Sequence, residues 1–155
     1  MTTKSNVLSA PDLTKRAPRS TRCRLGGFAL LPRLLDKCRA LLAGTIGDYH
    51  SNCPLDQIFL AYAGIDYAQL RAELAQGRTD GEILTWIVAN SKTRRTGAEI
   101  EIWSAYQDRR LPDSDGETAG YFATMLSGIT KTRPDIHTWA DLLDLDDHVS
   151  FGGTA

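Results

Sequence analysis

Apolar residues recur along the chain at spacings of three and four, the period of one helix face. Leu31, Leu34, Leu35, Cys38, Leu41 and Leu42 form the first such stripe. Pro32 suits a first helical turn and Gly44 a helix exit, so a helix is expected between them. Arg33, Lys37 and Ala40 fall off the stripe, which predicts an exposed basic face. A second helix is expected from Pro54 to the Gly64 stop, with Leu55, Ile58, Phe59 and Tyr62 inward. A third runs from an Asp66 cap to Gln76 with Tyr67, Leu70 and Leu74 inward, and Gly77 ends it.

Three later segments open alike. Thr79 precedes Glu82 by three residues, as Thr96 precedes Glu99 and Ser114 precedes Glu117. In such a capping box the hydroxyl accepts a free backbone N–H and the carboxylate accepts the cap's own N–H. Apolar stripes follow each: Ile83, Leu84, Trp86 and Ile87; Ile100, Trp103 and Tyr106; Tyr121, Phe122, Met125, Leu126 and Ile129. A seventh helix starts at Thr138 with Trp139, Leu142 and Leu143 inward. Its late aspartates, Asp144, Asp146 and Asp147, oppose the helix dipole and predict a short element. No segment alternates as a strand does. The pattern predicts an all-α, compact single domain of about seven short helices over residues 19–150. A flexible basic arm (1–18) and a frayed tail (151–155) flank it.

Composition adds bounds rather than identity. The chain has 155 residues, enough for one domain with its own core. It is 42% hydrophobic and 24% charged, which excludes wholesale disorder and rod-like classes. No apolar run reaches membrane-spanning length. A basic stretch before Leu25–Leu31 mimics a signal peptide, but Pro32-Arg33 breaks it and no small-residue cleavage site follows. A cytoplasmic protein without membrane association is expected.

The formal net charge of −1 conceals a gradient. Residues 1–50 hold nine basic groups against three acidic, and residues 111–155 hold two against eight. Internal charge balance is the plainer explanation. An anion site at the basic front, or two copies pairing head to tail as a homo-oligomer, are the alternatives.

Two clusters offer chemistry. In His50-Ser51-Asn52-Cys53-Pro54 the proline places Cys53 at a helix N-terminus, where free N–H groups and the dipole favour a thiolate. His50 stands three residues earlier as a candidate base, so Cys53 and His50 are the catalytic candidates for a thiol enzyme or redox sensor. The competing reading is a small cap-region hydrophobe beside a loop histidine. In Arg22-Cys23-Arg24-Leu25-Gly26-Gly27 two glycines can turn backbone N–H groups toward an anion. Arg24, Gly26, Gly27, Arg33 and Lys37 are therefore the ligand-binding candidates; the plain alternative is a glycine turn beside solvated arginines.

Cys23, Cys38 and Cys53 are odd in number and too widely spaced for a structural metal pair. The histidines, His50, His137 and His148, form no metal motif, so neither metal nor cofactor is expected. Ser91–Thr96 lies between two helices like the turn of a helix-turn-helix, but Glu99 and Glu101 near the start of the next helix would repel phosphate, which argues against nucleic acid. Trp86, Trp103 and Trp139 sit within apolar stripes and read as core.

Several pieces run in a distinctive order: Leu25-Gly26-Gly27, Leu31-Pro32-Arg33, Asp36-Lys37 with Arg39, Gly64-Ile65-Asp66, Asp80–Trp86 and Asp135–Asp144. The set spans residues 19–147 and resembles a bacterial domain family catalogued only as a domain of unknown function. The resemblance implies a compact single domain that includes the Leu-Gly-Gly segment. It implies no activity, cofactor or catalytic residue. The leading expectation is thus a binding or interaction module without catalysis, taking a small anionic molecule or a protein partner. A thiol enzyme or sensor, and a nucleic-acid accessory protein using the arm, are the alternatives.

Overall fold

Glycines, prolines and hydroxyl caps cut the chain into seven helices among the residues that a computed structural model describes, 10–113 and 116–155. They are α1 (Leu31–Ala43), α2 (Pro54–Ala63), α3 (Tyr67–Ala75), α4 (Asp80–Asn90), α5 (Gly97–Arg109), α6 (Gly116–Ile129) and α7 (Trp139–Ser150). No strand occurs among the described residues, and an isolated bridge joins Leu25 to Phe28 around the double glycine. The fold is an all-α single domain.

The capping signals differ in how fully they are used. At α5 the Thr96 hydroxyl accepts from the Glu99 N–H while Glu99 accepts from the Thr96 N–H at 2.8 Å, a complete box. At α4 the Thr79 hydroxyl accepts from the Glu82 N–H, the forward half of the expected box. Ser114, the cap expected for α6, lies outside the described residues. A box not foreseen opens α7, where Thr138 and Asp141 exchange the same two bonds. Aspartate can serve because the reciprocal bond needs only a carboxylate three residues on.

α1 is the centre of the molecule and packs on both α2 and α3. Its apolar stripe is buried as expected, with Leu31, Leu34, Leu35 and Cys38 fully enclosed. The exposed basic face is not there. Arg33, Lys37 and Ala40 are all buried, whereas Leu41 is exposed. The helix is surrounded, so its polar side must also be covered, and each cation carries a carboxylate with it: Arg33 donates to Asp147 at 2.7 Å and Lys37 is ion-paired with Asp56 at 2.9 Å. Buried charges persist only with such partners.

Phe28 and Phe59 meet edge to face at 5.4 Å in the main core, beside a stacked Tyr62–Trp103 pair 4.4 Å apart. A smaller core joins Phe122, Ile136, Leu142 and Leu145, with the Trp139 ring against Phe122. Tyr106 and Tyr121, placed with the inward stripes by the sequence pattern, are instead exposed.

α7 is not short: it runs for 12 residues. Its late aspartates are offset by arginines rather than left against the dipole. Asp144 accepts from Arg22 and Ser20, and Asp147 from Arg33 and Tyr49. Within the segment expected as an arm, Leu13 is buried and its N–H donates to the Thr45 carbonyl. In the expected tail, the Gly153 N–H donates to the His148 carbonyl.

Candidate functional site

Most cations of the basic front are paired with carboxylates, one residue at a time. Arg19 bridges Asp36 and Asp80, Arg39 also reaches Asp80, Arg22 reaches Asp141 and Asp144, and Arg24 reaches Asp108 at 2.6 Å. Several of these acids belong to α7, so the charge gradient along the sequence closes within the fold. Burial alone would weaken the hold of Arg33 on its proton; Asp147 outweighs it and strengthens that hold.

The cations among the five ligand-binding candidates are therefore each engaged separately. Arg24, Arg33 and Lys37 each face a different carboxylate. Gly26 and Gly27 adopt left-handed φ values of 57° and 81°, the backbone freedom expected of them. Their open faces meet protein: a Cβ on Gly26 would strike the Leu84 side chain at 2.5 Å, and one on Gly27 would crowd Ile100. The Gly27 carbonyl accepts from the buried Ser104 hydroxyl, which in turn accepts from the Ala29 N–H. The turn thus locks the Phe28 segment onto α4 and α5.

The second cluster holds together differently. Asn52, with φ 59°, turns the chain, and Cys53 becomes the N-cap of α2 with Pro54 following. Asparagine tolerates this left-handed conformation better than most side chains. The Cys53 sulfur makes no capping bond. It receives one from Lys37, whose Nζ lies 3.2 Å away. The same ammonium forms an ion pair with Asp56 Oδ1 at 2.9 Å and donates to the His50 carbonyl at 3.1 Å. Three acceptors thus gather around one ammonium, two by hydrogen bonds and one as its counter-ion. Lys37, expected beside Arg24 and Arg33, is in fact the companion of Cys53.

His50 serves this cluster through its backbone. Its side chain is exposed and has no hydrogen-bond partner among the described residues, so the ring is not brought to the sulfur. Asp56 Oδ2 is buried without a partner, which leaves an acceptor unfilled beside the ammonium. Around the rim the Ser51 hydroxyl meets the Tyr67 hydroxyl at 2.6 Å, and Tyr67 approaches the Cys38 sulfur at 3.8 Å. Cys38 is fully buried, and burial pushes its thiol up from the ordinary 9.0. Cys53 is only half-buried, and all three cysteines are free.

Sequence reasoning found Cys53 through its proline but missed Lys37 and Asp56. The available signal was register. Lys37 lies one residue from Cys38, on the side of α1 that the short α2 must cover, and Asp56 is the acid in the first turn of α2. Among the described residues no three His, Cys, Asp or Glu side chains gather as a metal site, and no helix is long and apolar enough to cross a membrane.

No curated protein matches the chain. A family model does, over residues 15–149, from the segment leading into α1 to the last turn of α7. That span takes in both clusters and the ion pairs that join α1 to α2 and α7, and it places the chain in the DUF5069 family, a domain of unknown function.

Proposed function

We propose that this domain is a thiol-bearing regulatory module in which Cys53 is the reactive group and Lys37 its positioning cation. The observation that supports it is the 3.2 Å contact between Lys37 Nζ and Cys53 Sγ at the open end of α2. A fixed positive charge at this distance stabilises negative charge developing on sulfur. Cys53 is half-buried, which supports access by a small oxidant, while Cys38 is fully buried.

The reaction is two-electron oxidation by a hydroperoxide. The sulfur gives up its proton and attacks the outer oxygen, an S–O bond forms and the O–O bond breaks. Two electrons pass from sulfur to the peroxide, and the departing oxygen takes up the proton. With hydrogen peroxide, thiol and peroxide become sulfenic acid and water. The new S–O–H group brings a hydrogen-bond donor to a cluster where Asp56 Oδ2 lacks one. Oxidation therefore rearranges the tie between α1 and α2, which is the regulatory step.

The test is limited oxidation by hydrogen peroxide in the presence of a dimedone-type trap, followed by peptide mapping. Cys53 is expected to label first, Cys23 later and Cys38 only on unfolding. His50→Ala is expected to leave the rate near that of the wild type, because its ring is absent from the cluster. Replacing the buried pair with Lys37→Met and Asp56→Leu together should slow Cys53 labelling by about tenfold, as a lost charge-assisted hydrogen bond does. Equal labelling of Cys23 and Cys53, or an unchanged rate in the folded double variant, would sink the reading.

A further inference from the structure

The Ser91–Thr96 loop, set aside as a nucleic-acid turn, has a different setting in the fold. Gly64, the αL exit of α2, lets this loop approach closely: a Cβ there would meet the Thr93 backbone nitrogen at 2.9 Å, and the Lys92 N–H donates to the Gly64 carbonyl. The loop thereby overhangs a cleft between the end of α2, α4 and the start of α5, with a volume of about 300 Å³. That is at the lower end of the range for small-molecule pockets.

The floor of the cleft is apolar: Phe28, Ala63, Ile87 and Ile100. Its rim carries Arg94 and Arg95. Arg95 is held in place, with its guanidinium 4.3 Å over the neighbouring Tyr62 ring and its Nε donating to the Tyr62 carbonyl. No carboxylate is hydrogen-bonded to either arginine among the described residues, in contrast to Arg19, Arg22, Arg24, Arg33 and Arg39, which all have one. The nearest acid in sequence, Glu99, is engaged in capping α5. An apolar floor whose rim carries two arginines without a carboxylate hydrogen bond is complementary to a molecule with an apolar body and an anionic head.

We infer that this cleft binds a small carboxylic acid, its hydrocarbon part on Phe28, Ala63, Ile87 and Ile100 and its carboxylate on Arg94 and Arg95. Guanidinium forks suit a planar carboxylate, which can accept two parallel N–H bonds. This is independent of the Cys53 cluster.

Methyl-resolved NMR titration with octanoate tests it, with 1-octanol as the uncharged probe and inorganic phosphate as the bodiless anion. Saturable shifts centred on the Ile87 and Ile100 methyls are expected with octanoate. Octanol and phosphate should each bind about tenfold or more weakly, since each lacks one half of the recognition. Arg94→Ala with Arg95→Ala should weaken octanoate by a similar factor and leave octanol unchanged, while Cys53→Ser should bind as the wild type does. Octanol binding as tightly as octanoate, shifts centred elsewhere, or no saturation at millimolar octanoate would each overturn the inference. If phosphate matches octanoate, the loop is a general anion site and the apolar floor plays no part, which also overturns it.

Discussion

Lys37 and Asp56 face each other across 2.9 Å with their side chains only 4% and 3% exposed, one on α1 and the other in the first turn of α2. A pair so enclosed is costly to break and cheap to replace whole. Removing one partner strands a charge, at a typical cost of about 3 to 5 kcal/mol, whereas swapping both for apolar groups of similar volume is often near neutral. Lys37→Met alone is therefore expected to destabilise the domain by roughly that amount in urea unfolding. Adding Asp56→Leu should restore most of the loss. A double variant no more stable than the single one would mean that the ammonium's other bonds, to Cys53 and the His50 carbonyl, carry the tie.

Acid should act through the carboxylates that hold arginines. Burial by itself would push the Asp80 carboxyl up from its ordinary 3.8; hydrogen bonds and charge from Arg19 and Arg39 outweigh it and hold it below that value. The same sign holds for Asp141, where burial is outweighed by N–H donation from Thr138 and His137. A group depressed by folding binds its proton more tightly in the unfolded chain. Its stabilisation is complete above the unfolded value and is lost as pH falls through the folded one. Asp146 has the opposite sign: burial and the charge of Asp147 raise it, so its protonation gives some relief on acidification. Stability followed from about pH 6 to pH 2 should fall most steeply below about pH 4. The gap between wild type and Asp80→Asn should close over the same range. A gap that stays constant would show that Asp80 acts by shape and not by charge.

Two glycines should respond oppositely to alanine. Gly64 has φ 65° and backbone atoms of the 92–93 segment within 3.1 Å of where a Cβ would stand. Gly64→Ala combines left-handed strain of about 1 to 2 kcal/mol with displacement of the loop. Gly120 lies inside α6, exposed, with nothing within 4 Å of a Cβ. Gly120→Ala should stabilise by about 0.5 to 1 kcal/mol. Thermal melts of the two variants, shifted in opposite directions, check both.

The α7 box is a local test of helix capping. Thr138→Ala removes the hydroxyl that accepts the Asp141 N–H, and about 1 kcal/mol of stability should go with it. The Thr96→Ala change at α5 should cost a similar amount, and chemical denaturation of the two variants checks both.

The helices were legible because their signals are local. Gly44 and Gly64 end α1 and α2, and Thr96 with Glu99 opens α5, each within a few residues. What the sequence hid depends on partners far along the chain. A lysine and an arginine off an apolar stripe ordinarily mark a solvated face; here Asp56 and Asp147 cover them, and Asp147 lies 114 residues beyond Arg33. The same distance concealed the length of α7, whose acids look repulsive until Arg22 and Arg33 are placed beside them. For the site, Pro54 made the helix N-terminus visible and so pointed to Cys53. Nothing within several residues of Cys53 names Lys37, because the contact is made between helices.

The Arg33–Asp147 pair also sets an order of events during synthesis. Arg33 sits in α1, yet its carboxylate is supplied by α7, and until then a guanidinium destined for the interior has no counter-ion, only the Arg19 carbonyl and the Tyr49 ring. Long-range closures of this kind slow folding and postpone the final packing. A chain truncated before α7 is therefore expected to leave α1 more open to cleavage, and limited proteolysis of chains ending before and after residue 147 would check this.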